Sequence, residues 1–108
     1  MIDHPEITLC EPAPFLYHEN GQIAVTDSSQ VWSVIVTCEA IRAMANPPEM
    51  SLRRLTLYAE FFTDLAAAAI SRGEEIGGKV FISESDVLST KFSHMQVLQG
   101  TARRADQR

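Results

Sequence analysis

Few residues in this chain of 108 have the type and spacing to do chemistry. Cys38 follows Thr37 at the expected start of a helix, where the dipole lowers a thiol pKa, and His18 could act as its base. Tyr17 adjoins that pair, and the three together would suit a small-ligand-binding or enzymatic domain. No further residue orients the pair and a whole strand separates its members, so a buried structural thiol is the simpler expectation. Two carboxylate pairs are available. Glu74-Glu75 lies in a glycine-flanked loop, where solvated charge is the rule, and Glu84 with Asp86 opens an expected helix, where acids complement the N-terminal dipole. A catalytic dyad needs a cleft to displace a pKa, and a chain this short has little room for one beside its core.

Metal chemistry finds no spacing to support it. His4, His18, His94, Cys10 and Cys38 never fall at the short paired intervals that build zinc sites. Gly73-Glu74-Glu75-Ile76-Gly77-Gly78 is rich in glycine, yet it carries two acids and precedes a strand. A phosphate cradle sets its glycines ahead of a helix and adds a lysine. No metal, cofactor or catalytic residue is therefore expected.

Charge narrows the partners. Residues 1–100 carry six Lys or Arg against thirteen Asp or Glu, while 101–108 hold Arg103, Arg104 and Arg108 against Asp106. An acidic body repels phosphate backbones and anionic lipid, and three tail arginines supply only a weak, salt-sensitive contact. A nucleic-acid-associated regulator working through that tail is thus a distant alternative. No run of about 18 apolar residues is present to span a membrane, and the N-terminus has no secretory pattern. The expected setting is cytoplasmic, with Cys10 and Cys38 reduced.

The elements that must position these residues follow from apolar periodicity. With 45% hydrophobic and 21% charged residues, the composition is that of a globular chain. Residues 1–13 read as an irregular lead-in. Asn20-Gly21 predicts a two-residue turn that sets Glu19 opposite Gln22, His18 opposite Ile23, Tyr17 opposite Ala24 and Leu16 opposite Val25. A two-residue Ser28-Ser29 loop then sets Val25 opposite Trp32 and Ile23 opposite Val34, because an odd loop would expose Trp32.

Thr37 and Ser51 predict N-caps for a short helix over 38–45 and a long one over 52–72, with Asn46-Pro47-Pro48 ending the first and Gly73 the second. Leu52, Leu55, Tyr58, Ala59, Phe62 and Ala66 share the main arc of the long helix, and Thr56, Glu60 and Thr63 lie opposite. A second stripe holds Leu57, Phe61 and Ala68, flanked by Arg54 and Arg72. A fourth strand over 79–83 puts Val80 and Ile82 on one side and Phe81 on the other, and a last helix carries Leu88, Phe92, Met95 and Leu98 to Gly100.

The step Val36-Thr37-Cys38-Glu39-Ala40-Ile41 resembles the Ile-Ser-x-Glu-Ala-Leu step of a small bacterial family, domain of unknown function 1488. Gly78-Lys79-Val80-Phe81-Ile82 followed by Ser85-Asp86-Val87 is similar to that family's second half, so the resemblance covers roughly residues 12–88. The chain departs from it at the Asn46-Pro47-Pro48 linker and after Leu88. The resemblance implies the fold and a bacterial cytoplasmic setting, and it carries over no functional residue.

The expected architecture is α+β, in the order β-β-β-α-α-β-α: an antiparallel sheet made of a three-stranded meander plus a fourth strand, with helices on one face. One domain is expected over 1–100, followed by a polar, flexible tail over 101–108. The second stripe needs cover, either from the last helix or from another subunit. The residues favour a non-catalytic accessory or protein-interaction module, self-associating as a homodimer through Leu57, Phe61, Phe92, Met95 and Leu98.

Overall fold

The computed structural model describes residues 6–90. Strands β1 (Thr8–Tyr17), β2 (Asn20–Thr26) and β3 (Val31–Val36) form an antiparallel meander, and β4 (Lys79–Ile82) pairs in parallel with the outer side of β3. The helical segments are α1 (Cys38–Arg42), α2 (Leu52–Leu57), α3 (Ala59–Ser71) and α4 (84–90). With α2 and α3 taken as two halves of one bent helix, the order is β-β-β-α-α-β-α. The sheet is mixed rather than wholly antiparallel. The helical layer carries the chain back along the sheet, so β4 enters beside the start of β3 and runs in the same direction.

The β2–β3 register is the expected one, with Val25 opposite Trp32 and Ile23 opposite Val34. Its loop is held by the Asp27 carboxylate, which accepts the Ser29 and Gln30 amides at 2.9 Å each. The Ser29 amide is the chief cause that holds the Asp27 carboxyl below its ordinary value.

The β1–β2 register differs from expectation. Tyr17 faces Asn20, Leu16 faces Gly21 and Phe15 faces Gln22, so the chain turns at His18-Glu19, with His18 at a φ of 56°. Gly21 serves a different need. A Cβ there would lie 2.8 Å from Leu55 Cδ2 and 3.0 Å from Ile41 Cδ1, so the glycine lets α1 and α2 close onto β2. Asn20 is likewise engaged, its Oδ1 accepting the Cys38 amide at 3.3 Å. Residues 8–13, expected to be irregular, belong to β1, which resumes pairing past a bulge between Cys10 and Phe15. That irregularity places both Leu9 (opposite Val25) and Leu16 (opposite Gly21) toward the helices despite their odd separation.

The helix caps match their sequence signals. Thr37 Oγ1 accepts the Ala40 amide at 3.2 Å, and Ser51 Oγ accepts the Arg54 amide at 3.1 Å. At the start of α4, Ser83 Oγ accepts the Asp86 amide while an Asp86 carboxylate oxygen accepts the Ser83 amide, a reciprocal cap. Gly73 ends α3 with φ at 74°, as its position predicts.

Three expectations about the helices change. The first helix is shorter, ending at Arg42. The long helix is interrupted at Tyr58, where φ is −107° and ψ is 18°, although the Tyr58 amide still reaches Arg54 O and the Phe62 amide reaches Tyr58 O. Thr63, assigned to the solvent side, is buried because the bend redirects α3, and its hydroxyl donates to Ala59 O at 2.9 Å. The core lies between the sheet and these helices, built on Ile23, Val34, Val36, Leu55, Phe62 and Val80. Trp32 is buried there too, and its indole N–H has no acceptor among the described residues.

Arg54, read from sequence as a flank of the second stripe, is buried. Its guanidinium donates to Ala45 O and Pro47 O at 3.1 Å each, which fastens the proline linker to the start of α2. Glu49 stands 3.5 Å from the same group and accepts the Ser51 hydroxyl at 2.6 Å. That hydroxyl is the chief reason the Glu49 carboxyl sits below its usual value, with Arg53 and Arg54 adding to it.

Candidate functional site

The Asn20–Cys38 hydrogen bond ties the turn that bears His18 to the start of α1. The chemistry of that junction differs from a nucleophile's. Desolvation, followed by the neighbouring Glu39, raises the Cys38 thiol pKa, opposite to the lowering expected from a helix start. Helix α1 has only five residues, so its dipole is short. His18 stands exposed at the turn, its ring edge-on to Tyr17 with centroids 4.2 Å apart. Among the described residues no hydrogen bond joins His18 to Cys38.

Most of the acidic candidates have structural partners. Glu74 forms a two-pronged pair with Arg72, at 2.8 and 3.0 Å, and this pairing lowers the Glu74 carboxyl pKa. Glu75 accepts the Gly78 amide at 3.1 Å, so a carboxylate already occupies the donor that an anion would seek in this glycine loop. Asp86 caps α4, and Glu84 is exposed in its first turn. The described residues contain no group of three His, Cys, Asp or Glu that could hold a metal ion.

The apolar stripe Leu57, Phe61, Ala68 is divided. Leu57 is 63% exposed and shares the outer surface of α2 with Leu52, 45% exposed. Phe61 turns inward, packs against the core and meets Phe62 edge-on at 5.9 Å. Ala68 lines a separate hollow of about 220 Å³ with Leu65, Arg72 and Phe81. Phe92, Met95 and Leu98 lie outside the described residues, as do His4, His94 and the arginines of 101–108.

A second concave surface went unnoticed in the sequence. The sheet face away from the helices carries one row across all four strands: Phe15, Gln22, Ile35 and Phe81. Ile35 is buried at its floor, whereas Phe81 stands up from β4 at 60% exposure. Beside that row a groove of about 450 Å³ runs between Phe81 and the Tyr17–His18 pair. Asn20, Gln22, Ser33 and Lys79 supply its polar groups. The alternation of β4 already set Phe81 opposite Val80 and Ile82. Alternation put Tyr17 on this face as well, and what the sequence concealed was its place along β2, opposite Asn20 rather than Ala24.

No family model matches the chain, and neither a curated protein nor a solved structure matches it.

Proposed function

We propose that this protein is a non-catalytic accessory module of a bacterial cytoplasm that acts by binding protein, in the first instance a second copy of itself. The observation that carries this reading is the outer surface of α2, where Leu52 and Leu57 stand exposed side by side. Burying such a patch against its own copy removes apolar area from water on both subunits at once. In this reading the half-buried Phe61, with Phe92, Met95 and Leu98, completes the contact. Membership of the domain of unknown function 1488 family belongs to the same proposal and rests on the residue steps around Val36–Ile41 and Gly78–Val87. Equilibrium sedimentation tests it. The wild-type chain is expected to be dimeric at high micromolar concentration, and Leu57→Glu to shift it to monomer with its far-ultraviolet circular dichroism spectrum unchanged. A strictly monomeric wild type at that concentration refutes the proposal.

A further inference from the structure

We propose that the groove on the helix-free face of the sheet binds a small planar aromatic acid, a ring system bearing one carboxylate. Three features of the groove specify such a ligand. Its walls are aromatic, Phe81 on one side and Tyr17 on the other, above the apolar floor of Ile35. A flat ring can stack on either wall and displace water from the floor. Its electrostatics are inverted relative to the rest of the molecule. Residues 1–100 carry more than twice as many acids as bases, yet no acid is among the described residues lining this groove. Lys79 is the one Lys or Arg in the groove, which His18 also lines, and it forms none of the ion pairs among the described residues. Gln22 and Ser33, flanking the floor, add side-chain donors within the same concavity.

The dimensions agree with one ligand of this size. Neighbouring strands lie about 4.8 Å apart, so the row from Phe15 to Phe81 spans about 14 Å, enough for a bicyclic ring but short for an extended polymer. The ring would lie over Ile35 against Phe81, with its carboxylate directed to Lys79.

The experiment titrates 2-naphthoate into the nitrogen-15-labelled full chain and follows the backbone amides, with the neutral 2-naphthamide as comparison. Amides of Gln22, Ser33, Ile35 and Phe81 are expected to shift together. Lys79→Gln should weaken binding about threefold, the scale of one exposed charge pair, and should abolish the preference over the amide. Phe81→Ser should weaken it about fivefold through lost stacking, and its amide spectrum away from β4 checks that the fold is intact. Ser71→Ala, on α3 across the sheet from the groove, should leave the affinity unchanged. Equal binding of acid and amide to the wild type, shifts confined to α2, or no shift at millimolar ligand would each overturn the proposal.

Discussion

The two faces of the sheet are made from the same strands and have opposite fates. On β4, Val80 is 1% exposed and its neighbour Phe81 is 60% exposed. The inner face is a near-continuous aliphatic surface of Ile23, Val25, Val34, Val36, Val80 and Ile82, and three helices close over it. The outer face mixes Phe15, Tyr17 and Phe81 with Gln22, Ser33 and Lys79. Period-two alternation gives each strand a choice of two surfaces, and only one of them was composed to exclude water. The other retains polar donors between aromatic walls, a composition suited to a reversible partner.

The largest test of this contrast pairs a phenylalanine under the helices with one on the open side. Phe62→Ala empties a fully enclosed position and is expected to cost about 3–5 kcal/mol. Phe81→Ala should stay below about 1 kcal/mol, as surface changes usually do. Denaturant unfolding measures both, and comparable losses would break the contrast. Gly21→Ala comes next. The added methyl meets the ends of the Leu55 and Ile41 side chains, which can move, so a loss of about 1–3 kcal/mol is expected by the same measurement. No loss would mean that α2 does not lie so close to β2.

The smallest effect concerns the polar clasp beneath the covered side. Glu49 has a folded-state pKa below its unfolded value, chiefly through the Ser51 hydroxyl. Its stabilisation is therefore complete above the unfolded value of about 4.3 and is lost as pH falls through the folded one. The thermal midpoint of wild type should exceed that of Glu49→Gln at pH 7, and the gap should shrink as pH falls below the unfolded value of about 4.3. A gap that widens with acid would reverse the assignment.

Local signals predicted local structure well. Thr37, Ser51 and Gly73 mark helix ends because each satisfies or permits a backbone group within a few residues of itself. The β2–β3 register was equally legible, since only one parity buries Trp32. Asn20-Gly21 misled for a tertiary reason. Both residues are engaged by distant partners, Asn20 by the Cys38 amide and Gly21 by Leu55 and Ile41, and neither partner is visible from a turn propensity. Tyr58 has no breaker chemistry, so nothing in composition announced the bend there. Arg54 looked like a solvated flank because its acceptors, Ala45 O and Pro47 O, are backbone carbonyls. Of the candidate site, Phe81 was legible from alternation, but the rise in the Cys38 thiol pKa was not, because desolvation depends on packing rather than sequence position.

The turn at Gly77-Gly78 has a consequence for how the protein tolerates crowding. Both glycines hold positive φ, at 58° and 79°, and the turn folds Ile76 back so that its amide and carbonyl bond those of Lys79 at 2.9 and 3.0 Å. Val80 and Ile82 face β3 in the parallel ladder, which leaves Phe81 as the one β4 residue with outward backbone groups unbonded among the described residues. A strand arriving from a neighbouring molecule would find a landing one residue long at this margin. Open sheet margins are where fibril growth begins, and here a pair of glycines shortens the margin.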